Sequence, residues 1–471
     1  IAYSELEHSQ LIVVWGNNIT ACNLHLTTII REARRDGATL VVVDPKRIRI
    51  ADEADLHLPL LPGTDVVLAY AVAAELKAQG RLHEDFIRDH VEGADRFLAE
   101  AARYTPERAA EICGLCADDI REFARLWGEN APAAISVGVA PERNRNGGSG
   151  LRAVFALPAL TGNFGPLGAG VCDVSGYFDI DSDSLNRDDL RRQPAREFNI
   201  LDVPDHILDP GDDIPVRGLF IYNHNPVAVH PRQRVMRQAL ESPDLFIAGS
   251  EVSMTDSMRY ADIIFPACSS LEYDDLYKAY GHAYLQRAAP VIEPLGDSVP
   301  NTELFRRLAR RFGFDEPCFS DSDAALMDQA VPAERLGGRR ASELAVDEVV
   351  DMATLNPPSL FRGLPPGTAS GKIELFDTAL EKQCGRGLPM FQPLASPRRF
   401  IVVSPASERR INSTFGGEPG QDADLLVEMH PQDAAELALV DGTPVRVFND
   451  AGAVHLPLKI TDRVRLGTVF I

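Results

Sequence analysis

The residues best suited to chemistry in this chain stand at the ends of apolar runs. Gly16, Asn17 and Asn18 follow one apolar run, and Asp44 and Lys46 follow the next. Amide side chains both donate and accept hydrogen bonds, and a carboxylate can accept two donors from the edge of a base or a ribose. Side chains of these types at neighbouring positions predict a site for a nucleotide.

The same arrangement occurs a second time further along the chain. Asn223 and Asn225 follow another apolar run, and each copy then continues to an Ala-Asp pair. Asn17 and Asp55 are 38 positions apart, and Asn223 and Asp262 are 39 positions apart. Helix caps and turns could explain any one of these residues, but capping does not require two copies at matched spacing. The repetition therefore predicts two nucleotide-like sites.

The elements that must position these side chains read as alternating strands and helices. The runs 11–15 and 40–43 are continuously apolar, as expected for parallel strands covered on both faces. Apolar residues at helical spacing predict helices at 65–79, 84–90 and 117–127. In open α/β sheets, ligands bind beyond the carboxyl ends of the strands. The turn holding Gly63 and Asp65 would lie at that same edge.

A glycine-rich segment covers residues 136–176. It contains Gly138 and, after an expected helix at 150–160, the cluster that includes Asn163. Neither the glycine fingerprint of nicotinamide dehydrogenases nor a P-loop occurs here. The glycines therefore predict either a close approach of the backbone to a ligand or an irregular loop, and both readings stay open.

The predicted fold class is α/β, with two repeated, doubly wound units whose sheets are mostly parallel, followed by a six-stranded type of β-barrel. The expected domains are 1–172, 173–390 with irregular insertions, and an incomplete barrel at 395–471. A helix is expected near 342–353 within the second domain. Strands at 400–403, 444–448 and 454–460 and a short helix at 431–438 would build the barrel.

The composition excludes several classes of function. The chain has 471 residues, of which 45% are hydrophobic and 25% charged, and it lacks an apolar run of transmembrane length. A net charge of −22 argues against nucleic acid as a partner. The 7 cysteines are scattered, which favours reduced thiols and a cytoplasmic location over a periplasmic one.

Two further groups of residues are candidates for chemistry. Cys113 and Cys116 form a CxxC pair, for which packing is favoured over a redox or metal role. Tyr277, Tyr280 and His282 form an aromatic and polar cluster that could line a pocket or lie in a solvated loop. A histidine in such a pocket could relay a proton, and all three are predicted catalytic residues. No protein ligand to a metal is predicted within the sequence.

Taken together, the motifs resemble the molybdopterin oxidoreductase superfamily, of the dimethyl sulfoxide reductase or formate dehydrogenase type. They run in order over essentially the whole chain. They are Trp15-Gly16-Asn17-Asn18, Asp44-Pro45-Lys46, Ala54-Asp55-Leu56, Pro62-Gly63-Thr64-Asp65, the glycines from Leu160 to Gly170, Asn225-Pro226, Met254-Thr255-Asp256, Ala261-Asp262, Glu272, Asn412-Ser413, Met429-His430-Pro431 and Asp441-Gly442.

The resemblance implies a bis(molybdopterin guanine dinucleotide) cofactor holding molybdenum or tungsten, with one guanine dinucleotide arm on each α/β unit. Residues implied to hold the first arm are Gly16, Asn18, Asp44, Lys46, Gly63 and Asp65. Residues implied to hold the second arm are Asn223, Asn225, Ser250, Thr255 and Asp262, and residues implied to close over the pterins are Asn412, Ser413 and Asn449. Asn17, Gly138, Asn163 and Asp256 complete the predicted cofactor-binding set.

The resemblance also implies parts that the sequence lacks. The family's cysteines for a [4Fe–4S] cluster and its protein ligand to the metal normally precede the first Trp-Gly-x-Asn strand, so we expect both upstream of Ile1, in a chain truncated at both ends. The segment 171–178 has no arginine, which disfavours formate as the substrate.

The expected function is the catalytic subunit of a molybdenum oxidoreductase that carries out a two-electron reaction on a small molecule. Its implied partners are an iron–sulfur electron-transfer subunit and a membrane-anchor subunit. The alternative is a non-catalytic electron-transfer subunit on the same fold, as in the large subunit of respiratory complex I. That alternative predicts degraded pterin-site residues, whereas here both sets of motifs are intact.

Overall fold

The computed structural model describes residues 1–172, 178–191, 195–353, 359–394, 398–405, 407, 411–414 and 425–471. Several predicted segments extend outside these ranges. The segment 171–178, on which the expectation about formate depends, includes 173–177, and the predicted barrel domain begins at 395.

The first unit is built on a five-stranded parallel sheet in the order β3-β2-β1-β5-β6. Its strands, with the short β4, are β1 (Leu11–Trp15), β2 (Thr39–Val43), β3 (Leu56–Leu58), β4 (Val91–Glu92), β5 (Ala133–Val137) and β6 (Gly170–Cys172). Its helices are α1 (Ile19–Cys22), α2 (Leu24–Arg35), α3 (Asp65–Ala78), α4 (Glu84–His90), α5 (Ala94–Ala101), α6 (Pro106–Cys113), α7 (Ala117–Glu129) and α8 (Gly147–Leu160). The predicted strands and helices of this unit are confirmed.

Both faces of this sheet are buried. Along β1, Val13 and Trp15 pack into one hydrophobic core, and Ile12 and Val14 pack into a second core on the opposite face. Successive side chains of a strand point to opposite faces, so a strand covered on both sides must be apolar throughout. This accounts for the continuous apolar runs in the sequence.

The second unit contains a three-stranded parallel sheet in the order β7-β8-β9. The elements between the first unit and the end of this sheet are α9 (Ser182–Asn186), α10 (Val203–Leu208), β7 (Gly218–Tyr222), α11 (Pro226–Val229), α12 (Gln233–Leu240), β8 (Phe246–Glu251) and β9 (Ile263–Pro266). Ile221 and Ile247 pack with residues of α12 in one hydrophobic cluster. Phe220 and Tyr222 keep exposed fractions of 37% and 46%, so one face of this sheet is largely open.

Smaller elements link the second unit to the C-terminal domain. They are β10 (Asp275–Tyr277), β11 (Tyr284–Ala288), α13 (Asn301–Phe312), α14 (Asp323–Ala330), β12 (Val350–Asp351), β13 (Ser359–Leu360), β14 (Gly363–Leu364), β15 (Ile373–Glu374) and α15 (Thr378–Cys384). The helix expected near 342–353 is wrong. A 3-10 turn at Ala341–Glu343 is followed by β12, whose Val350 pairs with Leu285 of β11.

The C-terminal domain is a mixed sheet in the order β16-β20-β17-β19-β18. Its elements are β16 (Ile401–Val403), β17 (Val427–Met429), α16 (Pro431–Glu436), β18 (Pro444–Phe448), β19 (Ala453–Ile460) and β20 (Thr468–Phe470). The sheet is curled into a half-barrel. In the part of the domain that the structure describes it has five strands, where the sequence suggested a six-stranded type.

Candidate functional site

The carboxyl edge of the first sheet opens between β1 and β5. Connections from β1 lead toward β2 and β3 on one side, whereas β5 and β6 lie on the other, so the strand order reverses at this point. Such a reversal leaves a crevice in which α/β proteins bind ligands. Gly16 lies at the end of β1 and Gly138 at the end of β5, on either side of this crevice.

Both glycines are required by close contacts. Gly16 has a φ of +55°, and a Cβ atom there would lie 2.5 Å from Cγ of Pro141. A Cβ atom on Gly138 would lie 2.2 Å from the carbonyl oxygen of Gly16. A larger residue at either position would push the backbone segments at the ends of β1 and β5 apart, so both positions require glycine.

The two asparagines after β1 have different surroundings. Asn17 is buried and its Nδ2 donates to Oγ of Ser136 at 3.1 Å, which ties the end of β1 to β5. Asn18 is half-buried, and its Oδ1 accepts a hydrogen bond from the Thr20 hydroxyl at 2.9 Å. Asn18 is therefore the more accessible of the two, and Asn17 holds the edge in shape.

Asp44 lies at the end of β2 with its carboxyl group enclosed by protein, although the residue keeps some exposed surface. Its Oδ1 accepts from the backbone N–H of Lys46 at 2.9 Å. Burial raises the pKa of Asp44 to about 7, against the opposing effect of Lys46. A ligand that donates hydrogen bonds to this carboxylate would compensate for its burial.

Lys46 joins the first unit to the C-terminal domain. Its ammonium group pairs with Glu428 of β17, and Glu428 also pairs with Lys459 at 3.3 Å. Burial opposes the ionisation of Glu428, but the two lysines outweigh it and keep the pKa of Glu428 below its usual value. Lys46 thus lies at the predicted edge, with its charge directed at a carboxylate of the same chain.

Asp65 begins α3 and is fully enclosed. Its Oδ1 accepts from Nε1 of Trp15 at 2.8 Å, and burial raises the pKa of its carboxyl group. Gly63, just before it, approaches the loop after β5, since Nδ2 of Asn146 donates to the Gly63 carbonyl at 2.9 Å. Asn146 also exchanges two hydrogen bonds with the backbone of Gln392. The sequence argument did not select Asn146; its only signal was its place among the glycines.

At the carboxyl edge of the second sheet, a short chain of hydrogen bonds connects β7 to β8. Nδ2 of Asn301 donates to Oδ1 of Asn223 at 3.0 Å, and the Ser250 hydroxyl donates to Oδ1 of Asn301 at 3.1 Å. Asn223 adopts a left-handed backbone with a φ of +51°, which asparagine tolerates better than most residues. The structure thus brings together Asn223 and Ser250 through Asn301, a residue that sequence reasoning missed.

Asn225, Thr255 and Asp256 lie nearby in the same unit. Oδ1 of Asn225 accepts from the Ser257 hydroxyl at 2.7 Å, and that hydroxyl in turn accepts from the N–H of Val227. The Thr255 hydroxyl accepts from the N–H of Met258 at 3.2 Å, and Asp256 is exposed. Asn225 and Thr255 therefore shape the loops, and Asp256 is open to solvent.

Two predicted cofactor residues lie at the amino ends of their strands, away from these edges. Oδ2 of Asp262 accepts from the N–H of Ile247 at 2.7 Å, near the start of β8. Oδ1 of Asn163 accepts from the N–H of Ala133, the first residue of β5, at 2.9 Å. Neither is brought to the carboxyl edge, because the hydrogen bonds of both side chains are directed into the sheet.

Asp262 has an equivalent in the first unit. Oδ2 of Asp55 accepts from the N–H of Leu40 at 2.8 Å, and the N–H of Asp55 donates to the Leu40 carbonyl at 2.9 Å. The N–H of Asp262 likewise donates to the Ile247 carbonyl at 2.8 Å. The repeated Ala-Asp motif thus makes the same two backbone hydrogen bonds in both units, and Asp55 also pairs with Arg34 at 2.6 Å.

The predicted catalytic residues lie on a loop that contacts the N-terminal segment. Tyr277 and Tyr280 are exposed, by 41% and 68%, and Nδ1 of His282 accepts from the N–H of Tyr284 at 3.1 Å. Next to His282, the Gly281 carbonyl accepts from the N–H of Tyr3 at 3.3 Å.

Tyr3 connects this loop to the first carboxyl edge. Its hydroxyl accepts from Nδ2 of Asn23 at 2.7 Å, and Asn23 caps α2 shortly after the end of β1. The loop with His282 therefore lies across the junction of the two units.

The predicted residues of the C-terminal domain occupy turns. Asn449 closes the β18–β19 hairpin, and its Oδ1 accepts from the N–H groups of Ala451 and Gly452 at 2.8 and 3.1 Å. Asn412 has a φ of +51° and lies with Ser413 in the short described stretch 411–414. The structure does not bring these three residues into contact with either sheet edge.

Arg465 fastens the C-terminal domain to the first unit. Its guanidinium group donates to the carbonyls of Pro59, Cys113 and Gly114 at 2.8, 3.2 and 3.1 Å. Nearby, the N–H of Arg47 donates to the Arg463 carbonyl at 2.7 Å. These contacts hold the domain beside the loop that leads to Gly63.

The cysteines offer no metal site in the described ranges. Cys22 and Cys116 are exposed. Cys113 is buried, and this raises the pKa of its thiol to about 12, which agrees with a packing role. Among the residues that the structure describes, no group of three or more His, Cys, Asp or Glu side chains could hold a metal ion.

Two family models match the chain. The model for molybdopterin oxidoreductase matches residues 2–311, and that for the molydopterin dinucleotide binding domain matches residues 400–471. The chain belongs to the molybdopterin oxidoreductase family. Its cofactor is therefore of the molybdopterin dinucleotide class, with molybdenum or tungsten.

Relatives agree with this assignment. The chain is 33% identical to the probable oxidoreductase YoaE of Bacillus subtilis, over 99% of this chain and 69% of that protein. It is 24% identical to the F420-dependent formate dehydrogenase 2 subunit alpha of Methanococcus maripaludis, over 99% of this chain and 72% of that protein. This molybdopterin oxidoreductase is thus a subunit of the catalytic type, and nothing favours the non-catalytic alternative.

A solved structure shares the fold. Acetylene hydratase from Pelobacter acetylenicus matches with a TM-score of 0.82 at 21% identity, over 100% of this chain and 73% of that chain. Within the described residues, no helix is both long and apolar enough to cross a membrane.

The first edge fits the cofactor of the family. A dinucleotide arm binds where the strand order reverses, beyond the carboxyl ends of the strands, and Gly16 and Gly138 lie at that reversal. It also needs an acceptor for donors on the base or ribose, and Asp44 lies at the end of the adjacent strand.

Proposed function

We propose that this molybdopterin oxidoreductase holds a bis(molybdopterin guanine dinucleotide) cofactor, with one guanine dinucleotide arm at each carboxyl edge. The observation that carries the proposal is the duplication of the edge. Gly16 and Asp44 follow β1 and β2 of one unit, and in the other unit Asn223 follows β7 and Ser250 lies near the end of β8. When bound, the metal supplies two-electron redox chemistry that the side chains alone lack.

The chain's own residues would position and orient the arms. Gly16 and Gly138 admit the first arm to the crevice, and Asp44 accepts hydrogen bonds from its base or ribose. Asn223 and Ser250, held together by Asn301, present amide and hydroxyl groups to the second arm. Asn412, Ser413 and Asn449 belong to the domain that would close over the pterins.

His282 is proposed as a proton relay on the substrate side, near Tyr277 and Tyr280. Its Nδ1 accepts a hydrogen bond from the Tyr284 backbone, which leaves Nε2 as the atom that exchanges a proton. The His282→Gln variant of the full-length enzyme should keep its metal but lose about tenfold or more in kcat. An unchanged kcat would remove His282 from this role.

The relatives support further parts of the proposal. The Methanococcus maripaludis relative is named as an alpha subunit, which supports a partner subunit for this chain. The partners proposed are an iron–sulfur electron-transfer subunit and a membrane-anchor subunit. A [4Fe–4S] cluster in the full-length protein would connect the metal to such a partner. The scattered cysteines support a cytoplasmic location.

The test is to express the complete gene in a molybdenum-replete host and to measure metal and released guanine nucleotide. We expect about two guanine nucleotides for each metal atom, because each arm ends in one. Folded protein that contains neither would contradict the proposal.

Single-edge variants sharpen this test. Asp44→Ala and Ser250→Ala should each lower the nucleotide content of the purified enzyme. Asp36→Ala, an exposed residue at the end of α2, is the control and should leave the content unchanged. If Asp36→Ala has the same effect as the other two, the loss reflects general instability and not the edges.

A further inference from the structure

The loop that follows β5 crosses the carboxyl edge of the first sheet. Pro141, on this loop, contacts Gly16, and a Cβ atom on Gly63 would lie 3.1 Å from Oδ1 of Asn144. The loop therefore runs from the end of β1 to the turn before α3, over the crevice between β1 and β5. Any ligand in that crevice lies next to this loop.

The loop is held rigidly by asparagine side chains. Nδ2 of Asn144 donates to the Pro141 carbonyl at 2.8 Å, and Oδ1 of Asn144 accepts from the N–H of Asn146 at 2.8 Å. Asn146 is buried and donates to the Gly63 carbonyl. Residues on either side of Asn144 are thus fixed in position, whereas their side chains are free to extend.

Those two residues are Arg143 and Arg145. Both are exposed, and neither forms a hydrogen bond or ion pair with any residue in the described ranges. Other arginines close to the first edge are paired, since Arg47 and Arg463 both contact Asp52 at 2.8 Å. The chain as a whole has a net charge of −22. The loop nevertheless places two unpaired cations, one on each side of Asn144, next to the carboxyl edge of the first sheet.

We propose that Arg143 and Arg145 bind an anionic phosphate group at the first edge. A guanidinium group donates two parallel hydrogen bonds to phosphate oxygens, and its charge is permanent. The other cation at this edge, Lys46, is already paired with Glu428, so Arg143 and Arg145 have the guanidinium groups that remain available to an anion. The inference rests on the proposed function, because it assigns these residues to the arm held by Gly16 and Gly138. The phosphate is either the diphosphate of that arm or a free anion of the same chemistry.

The test uses the full-length protein purified without cofactor from a host that cannot make it. Calorimetry compares the affinities for guanosine, GDP and inorganic pyrophosphate. We expect the wild type to bind GDP about tenfold tighter than guanosine, with a preference that weakens as salt rises. In the double variant Arg143→Gln/Arg145→Gln the preference should fall to about threefold or less, with the affinity for guanosine unchanged.

The matched control is Arg35→Gln/Arg237→Gln, which removes the same charge. Both control residues are exposed, lie on α2 and α12, and have no partner in the described part of the chain. This variant should keep the GDP preference of the wild type. If the control loses as much as the loop variant, net charge alone explains the effect and the proposal is overturned.

The outcomes separate this inference from the function on which it rests. If the cofactor-free wild type binds neither guanosine nor GDP, and the enzyme from a replete host holds no guanine nucleotide, the proposed function fails. If the wild type prefers GDP and the loop variant keeps that preference, only the role of the arginines is overturned.

A further binding experiment identifies the source of the phosphate. If the cofactor-loaded wild type no longer binds inorganic pyrophosphate, the arginines hold the diphosphate of the cofactor itself. If the loaded wild type still binds it and the loop variant does not, the arginines take a free anion. Either result supports the proposal, and pyrophosphate binding that survives equally in the loop variant overturns it.

Discussion

The two α/β units share a sequence pattern but differ in how completely they are buried. All five residues of β1 are buried, and the sheet around it is covered on both faces. In β7, only Ile221 is fully buried, and Phe220 and Tyr222 face outward. The repeated sequence pattern thus specifies the strand–helix–strand unit. The rest of each domain determines how many strands are added to the sheet and whether both of its faces are covered.

What the units retain in common is a pair of hydrogen bonds. Asp55 and Asp262 clamp the starts of β2 and β8 through the same two backbone contacts. Their carboxyl edges differ, with glycine and aspartate in one unit and an asparagine–serine chain in the other. The amino-edge clamp is therefore repeated with the same residue type, whereas the residues at the carboxyl edges are repeated in position but not in type.

The largest expected difference between the units concerns two glycines. Gly138→Ala should lower the free energy of unfolding by about 3 kcal/mol, because the new methyl meets the backbone of Gly16. Gly249→Ala in β8 should cost about 1 kcal/mol, because its methyl meets mainly the flexible side chain of Met258. Urea-induced unfolding measures both. Gly148→Ala, with open space around it, is the control, and equal losses at the first two sites would contradict the comparison.

The clamps should behave alike in the two units. Asp55→Ala and Asp262→Ala should each lower the free energy of unfolding by about 2 kcal/mol, because each leaves a backbone N–H at the start of a strand without its charged acceptor. Urea denaturation is again the measurement, with the highly exposed Asp118→Ala as the control. A neutral Asp262→Ala would mean that the clamp of the second unit is not equivalent to that of the first.

Asp44 should make the stability of the first unit depend on pH. Since the folded pKa of Asp44, about 7, lies above its ordinary value of 3.8, the folded protein binds more protons than the unfolded chain between those values. Stability therefore falls as pH rises through that window. Asp44→Asn removes this loss, so the cofactor-free variant should gain roughly 1–2 kcal/mol over wild type at pH 8, allowing for partial solvent access.

Thermal unfolding of both proteins at pH 4, 6 and 8 checks this expectation. The two should be nearly equal at pH 4, where the carboxyl group is protonated in the folded protein. Ser250→Ala, at the corresponding place in the second unit, should show no such pH dependence. If the difference in stability between Asp44→Asn and wild type does not grow with pH, the ionisation of Asp44 does not destabilise the folded protein.

The smallest effect is expected at the open face of the second unit. Phe220→Thr should lower the free energy of unfolding by about 1 kcal/mol, because the ring keeps some contact with water but also lies against Phe265 and Phe305. Val13→Thr, at the matching position of β1, should cost about 2 kcal/mol by burying a hydroxyl group. Denaturant midpoints measure both, and a large loss at Phe220 would mean that this face is more tightly packed than its exposure indicates.

Much of the fold was predictable because local patterns determine it. Continuous apolar runs predicted β1 and β2, and helical spacing predicted α3, α4 and α7 within two residues at each end. The order of the strands was not predictable, since nothing in the local sequence of β5 states that it pairs with β1. The helix expected near 342–353 failed because the pairing of Val350 with Leu285 outweighed local spacing.

The candidate site was predictable at positions where the backbone geometry itself requires a particular residue type. Gly16 and Gly138 stand at the crevice because their positions exclude a side chain. Asp262 was selected with a motif that recurs in both units, but recurrence there reflects the strand clamp. Asn301 was missed because it reaches the edge of the second sheet from a helix 78 residues further along the chain than Asn223.

Arg465 recognises its neighbours only through their carbonyl oxygens, at Pro59, Cys113 and Gly114. Every residue carries such an oxygen, so Pro59 and Cys113 can change identity over generations without weakening this attachment. Gly114 is the exception, because a Cβ atom there would lie 1.8 Å from the guanidinium nitrogen. The attachment by Arg465 thus tolerates substitution at two of the three positions that it contacts in the first unit, and restricts it at the third.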